Sequence, residues 1–110
     1  MSVAMQDDTK GVCGGLEIGV GGTYYTTDGK TFSVSLNVGL VTTQAMYSLG
    51  DNTFAYVGQD NRNEGVAESA NGGERFTGHF WPKGFSADAP ARYGAFPSKD
   101  VWYVSGGTWP

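Results

Sequence analysis

The chain has one cysteine, one histidine and seven basic residues among its 110 positions. Cys13 by itself closes no internal disulfide. With no Cys-x-x-Cys pair and no histidine at ligand spacing, it reads as a small turn residue or a buried thiol rather than a metal ligand. Seven Lys and Arg against eleven Asp and Glu give a net charge of -4, and no five-residue window gathers a basic patch of the kind that holds a phosphate backbone. Nucleic acid is excluded as a partner on that ground. No apolar run approaches the ~18 residues that span a bilayer, and the opening MSVAMQDDTK lacks the charged-then-apolar order of a secretory signal. The chain therefore reads as soluble, with no membrane span and no signal peptide, and nothing in it specifies a compartment.

Signatures of catalysis are equally scarce. The stretch GVGGTYY (19–25) lacks the lysine and following helix of a phosphate loop. The stretches DDTKG and DNRNEG carry carboxylates without the spacing of a calcium loop and read as solvated loops. His79, in TGHFWP, is accompanied by no G-x-S-x-G elbow, which leaves a Ser-His-Asp reading without support and makes it a packed or rim histidine. The expectation is no catalytic residue, no metal and no cofactor, hence no enzyme.

What the chain does have is 18 glycines and 14% aromatic residues with only 16% charged ones, the composition of short strands joined by tight turns. It also repeats itself. YTTDGKTFSVSL (25–36) and ESANGGERFTGHFW (68–81) share a small polar residue, Asp or Asn, glycine, a charged residue and a Phe that opens a β-rich run. Phe32 and Phe76 stand 44 positions apart, and a second register joins TFAYVGQ (53–59) to VWYVSGG (101–107), with Phe54 and Trp102 48 positions apart. Repeats of about 40–50 residues point to propeller blades or solenoids. The complete copy predicts strands at 53–58, 65–69, 75–80 and near 92–96. The other copy predicts 22–26, 31–38 and 45–49.

The turn inside each copy is locally encoded. The Asn71 side chain can accept hydrogen bonds from backbone N–H groups two residues on, while Gly72 and Gly73 take the positive φ of the reversal. Ser69 ties the incoming strand to the turn, and Phe76 packs between neighbouring sheets. Thr26, Asp28, Gly29, Thr31 and Phe32 are expected to do the same in the first copy, with Phe32 as the packed aromatic.

SANGGERF (69–76) resembles the Asp-box of the BNR repeat family, S-x-D-x-G-x-T-W, with Asn71, Arg75 and Phe76 in place of the Asp, Thr and Trp. TTDGKTF (26–32) looks like the same box with one residue missing between Asp28 and Thr31. The flanking phrases resemble the repeats of photosystem assembly factors and of sialidase-type and sortilin-type propellers, over roughly residues 22–107. The resemblance implies an all-β fold of β-propeller blades, about two four-stranded blade equivalents over 16–110 that begin and end mid-blade, after a partly flexible N-terminal segment over 1–15. Two blades do not close a ring, so the expected partner is a second copy joined head to tail, or the remainder of a longer propeller.

In those families the box is a folding element, so its residues inherit a structural role and no chemistry. A sialidase-type fragment is the second reading, weakened because none of Arg62, Arg75 and Arg92 sits in the Phe-Arg-Ile-Pro phrase of the family's first catalytic arginine. An assembly factor for photosystems is the third. The leading reading is a non-catalytic binding or scaffold module for a protein or glycan. Trp81, Trp102, Trp109 and Tyr103 are its candidate aromatics. Strand context favours packing for most aromatics, but Trp81 and Trp109 each precede a proline at a strand end and, with Tyr103, mark the expected binding surface.

Overall fold

The computed structural model describes residues 2–14, 23–38, 42–59, 64–80 and 91–106. Every regular element among these residues is a strand. The first sheet is an antiparallel meander of β1 (Ser2–Met5), β2 (Gly11–Gly14), β3 (Thr23–Thr26) and β4 (Phe32–Val34). The second sheet is a meander of β6 (Thr42–Gly50), β7 (Thr53–Gln59), β8 (Glu64–Ser69) and β9 (Arg75–Phe80), with β5 (Leu36–Val38) added parallel to β9 at its edge. A third sheet consists of the antiparallel pair β10 (Ala91–Ala95) and β11 (Tyr103–Gly106).

Ser35 is the point at which the chain changes sheets. Its N–H donates to the Thr23 carbonyl at 2.9 Å in the first sheet, and the next N–H, from Leu36, donates to the Glu74 carbonyl at 2.8 Å in the second. The run expected as one strand over 31–38 is therefore two strands serving different sheets. A hydrogen-bond pattern shared between two partners cannot be read from one strand's own alternation.

The sheets overlie one another in a constant order. β6 of the second sheet lies against β1 and β2 of the first, and β10 of the third lies against β6 and β7 of the second. Between the first two sheets sits the core of Val12, Met46, Phe54, Tyr56, Ala67 and Phe76, with Ala4 and Tyr25 packed against it. Tyr56 and Phe76 meet edge to face with ring centroids 4.9 Å apart, and a fully buried side chain of this size contributes about 1.5–3 kcal/mol. Ala55 and Val57, on the opposite face of β7 by the two-residue alternation of a strand, are also fully buried. Burial on both faces is why TFAYVG reads as an uninterrupted apolar run.

β1 and β2 are half of the first sheet, and Val12 within them is 0% exposed. The first sheet has four strands in meander order. Two expectations are corrected. The second unit opens at β6 and not at Thr53, since Asp51 and Asn52, with φ of 51° and 61°, form a two-residue hairpin turn joining β6 to β7, the geometry preferred between twisted strands. The strand near 92–96 pairs with β11 and so starts the third sheet rather than closing the second.

Candidate functional site

The two predicted turns share one hydrogen-bond design. Thr26 Oγ1 accepts from the N–H of Asp28 at 3.3 Å and of Gly29 at 2.9 Å, and donates to Asp28 Oδ1 at 3.1 Å. Ser69 Oγ accepts from the N–H of Asn71 at 3.3 Å and of Gly73 at 2.9 Å, and donates to Asn71 Oδ1 at 2.8 Å. The second acceptor then holds the outgoing strand. Asp28 Oδ1 takes the N–H of Lys30 and Thr31, each at 2.8 Å, whereas Asn71 Oδ1 takes that of Arg75 at 3.1 Å. Asn71 thus reaches four residues on rather than two, because the Gly73 N–H is already held by Ser69. Gly29 and Gly72 have the same φ of 78°, and Gly73 has a φ of 91°. Thr31 leads directly into β4.

Phe76 is fully buried between the sheets, but Phe32 is 43% exposed. Phe32 lies on the face of the first sheet that points away from the second, where none of the described residues covers it. Its expected packing is corrected accordingly.

Two further capped turns lie in DDTKG, expected as a solvated loop, and in the stretch 98–101. Asp7 Oδ1 accepts from the N–H of Thr9 and Lys10, each at 2.8 Å, and from Thr9 Oγ1 at 2.9 Å, which closes the β1–β2 turn. Ser98 Oγ accepts from Asp100 and Val101 in the β10–β11 connection. The signal was available: an Asp or Ser two residues before the N–H groups it caps. Backbone donors favour the ionised carboxylate. The Thr9 and Lys10 N–H groups hold Asp7 below the usual range, and those of Thr31 and Lys30, aided by the Thr26 and Thr31 hydroxyls, hold Asp28 down to about 2. The turns are also knitted together, with the Asn52 N–H donating to Gln6 Oε1 at 2.6 Å and the Gly72 N–H to the Asn52 carbonyl at 2.8 Å. In each box turn the capping hydroxyl and the Oδ1 acceptor are engaged by backbone N–H groups.

A more open surface lies on the other face of β8 and β9. Among the described residues the third sheet lies chiefly against β6 and β7, and on β8 and β9 Glu68, Ala70, Asn71, Arg75, Thr77 and His79 line a shallow recess. His79 Nε2 meets Glu68 Oε1 at 2.9 Å, and the far side of the imidazole stands edge to face with Trp102 at 5.6 Å between centroids. Trp102 also meets Phe96 at 5.4 Å, and Phe96 meets Tyr47 at 4.9 Å. His79 is thus placed at the rim of a recess, against an indole, and Glu68 and Thr77 join it by strand register, a neighbourhood that no local motif announces. An exposed pair of this kind adds only about 0–1 kcal/mol to the fold.

Of the aromatics expected at a binding surface, Tyr103 is 65% exposed, beside Tyr93 at 68%. Trp81 and Trp109 lie outside the described residues. Cys13 is half-buried, and burial pushes its thiol upward. Among the described residues there is no group of three or more His, Cys, Asp or Glu able to hold a metal ion, and no helix long and apolar enough to cross a membrane. In comparisons with known proteins, no family model, no curated protein and no solved structure matches this chain.

Proposed function

We propose that the chain is a non-catalytic binding module built from Asp-box β-propeller blades, and that it presents the recess beside Trp102 to a polar ligand of the glycan class. Support for the blade reading comes from the constant order in which successive sheets overlie one another and from the same capped turn recurring between the third and fourth strands of two consecutive meanders. The observation that carries the binding reading is the step at the third sheet's edge. There a carboxylate, an imidazole, a guanidinium-bearing residue and a hydroxyl share one open face next to an indole. Sugar hydroxyls require donors and acceptors on a rigid platform, and sugar C–H faces pack on aromatic rings.

The test is a panel of neutral and acidic oligosaccharides titrated into labelled protein, read by amide shifts. The expected result is saturable shifts confined to Glu68, Arg75, Thr77, His79 and Trp102, abolished in the Glu68→Ala/His79→Ala double variant. Shifts absent across the panel at millimolar sugar, or unchanged in the double variant, refute the assignment.

A further inference from the structure

Both faces of the first sheet carry apolar side chains. One face, with Ala4, Val12 and Tyr25, packs against the second sheet. The other carries Val3, Met5, Phe32 and Val34, which are 61%, 43%, 43% and 58% exposed, together with the half-buried Cys13. A sheet with one wet face ordinarily alternates apolar with polar residues. This one does not.

Strand register shows what the open face corresponds to. Thr26 and Ser69 fill the same capping position, and they oppose Gly11 and Phe54 respectively. Counting outward, Cys13 takes the place of Tyr56, and their cross-strand partners Val3 and Met46 correspond as well. Phe32, opposite Thr26, takes the place of Phe76. In the second sheet Met46, Tyr56 and Phe76 are buried because the first sheet covers them. In the first sheet the matching residues Val3 and Phe32 are exposed and Cys13 is half-buried.

A surface of the complementary kind stands at the opposite end of the stack. The face of the third sheet turned away from the second carries Tyr93, Ala95, Tyr103 and Ser105, all exposed. The two tyrosines flank a shallow groove floored by Gly94 and Val104. By the order in which the sheets overlie one another, this is the face on which a following sheet would lie. Among the strand residues whose side chains are described, neither open face carries a charged one.

We propose that the open face of the first sheet is the docking site for the β10–β11 hairpin of a second copy of this chain, the two copies meeting head to tail. This inference rests on the blade reading for its stacking order and makes no use of the recess. The contact continues between chains the same sheet-on-sheet interface that joins the sheets within one. Because it joins unlike surfaces, it leaves one of each free at the ends of a pair and either closes a ring or extends.

Light scattering across 1–100 µM tests it, with Val34→Lys on one face, Tyr103→Lys on the other, and Leu36→Lys as control. Leu36 is 68% exposed, on the edge strand of the second sheet. Wild type and Leu36→Lys should self-associate and keep doing so in 1 M NaCl, where screening weakens the repulsion between copies of net charge -4. Each of the other variants should remain near the 11.7 kDa monomer mass, while an equimolar mixture of the two forms a one-to-one dimer and nothing larger, since each supplies the face the other lacks. A misfolded variant could not be rescued by such mixing. A wild type monomeric throughout, self-association lost in only one of the two lysine variants, or a mixture that stays monomeric overturns the proposal. A monomer that still binds oligosaccharide at the recess overturns this proposal and leaves the glycan assignment standing.

Discussion

Replacing Gly73 by alanine adds one carbon to the turn between β8 and β9, and the structure specifies what that carbon meets. At Gly73 the backbone has a φ of 91°, and a Cβ would stand 2.9 Å from Tyr25 Cβ and closer still to Val12 Cγ1, both in the first sheet. Gly72 next to it has a φ of 78° with open space around its Cβ direction. Left-handed strain alone costs an L-residue about 1–2 kcal/mol, and forcing a carbon into a packed site adds about 1–3 kcal/mol. Gly72→Ala should therefore lose about 1–2 kcal/mol and Gly73→Ala about 2–5 kcal/mol, a large fraction of the roughly 5–15 kcal/mol that holds a small domain together. Urea denaturation of the two variants measures the difference. A double-mutant cycle with Val12→Ala isolates the inter-sheet part, since truncating Val12 opens the space and should lower the cost of Gly73→Ala by about 1 kcal/mol or more. Equal losses for Gly72→Ala and Gly73→Ala, with no coupling to Val12, would show that the turn does not press on the first sheet.

Ser69→Ala removes the acceptor of the buried Gly73 N–H and should cost about 1–3 kcal/mol. Ser69→Thr should recover most of that, because Thr26 does the same work in the first turn; a chemical melt in which all three proteins coincide would contradict the cap. Asp28 has a pKa of about 2 in the fold against 3.8 for the free group, so its contribution is complete above pH ~4 and drains away as pH falls toward 2. Asp28→Asn should therefore flatten the acid side of the melting-temperature profile, and a profile parallel to wild type between pH 2 and 5 would refute the linkage. Tyr47→Phe strips the hydroxyl that accepts the Gly94 N–H at 2.8 Å and should cost about 0.5–1.5 kcal/mol. Faster hydrogen exchange at Gly94 is the expected readout, and unchanged exchange argues against that anchor.

Local chemistry was legible in the sequence, and pairing across the chain was not. β7, β8 and β9 lie within a residue of their expected limits, since each is bounded by turn residues that carry their own geometry. The same logic locates β1 and β2 through Asp7 and β6 through the Asp51-Asn52 turn, so DDTKG is a capped turn rather than the expected solvated loop. Sheet membership is different. That 91–95 pairs forward with β11, and that Ser35 hands the chain from one sheet to the next, depends on partners tens of residues away. The recess is of the second kind too: Glu68, Thr77 and His79 share a face through the β8–β9 register, and Trp102 meets His79 from a part of the chain more than twenty residues away.

Phe32 is where the two kinds of information diverge. Its own turn resembles that of Phe76, with a capping hydroxyl, a side-chain Oδ1 acceptor and a glycine of the same φ, so the two turns aim their aromatics alike. In the structure Phe32 is aimed as specified, and among the described residues no second sheet lies over it. A conformational defect would change its direction, whereas Phe32 keeps the register position of Phe76 opposite its capping hydroxyl and differs from it in exposure. The same holds for Val3 against Met46. Substituting Phe32 by Ser should accordingly cost the monomer little, because a half-exposed ring has lost only part of its water, yet it should weaken self-association as Val34→Lys does. If instead Phe32→Ser lowers the melting temperature of dilute monomer as much as Phe76→Ser does, the first sheet is held by contacts within one chain and its open face needs no partner.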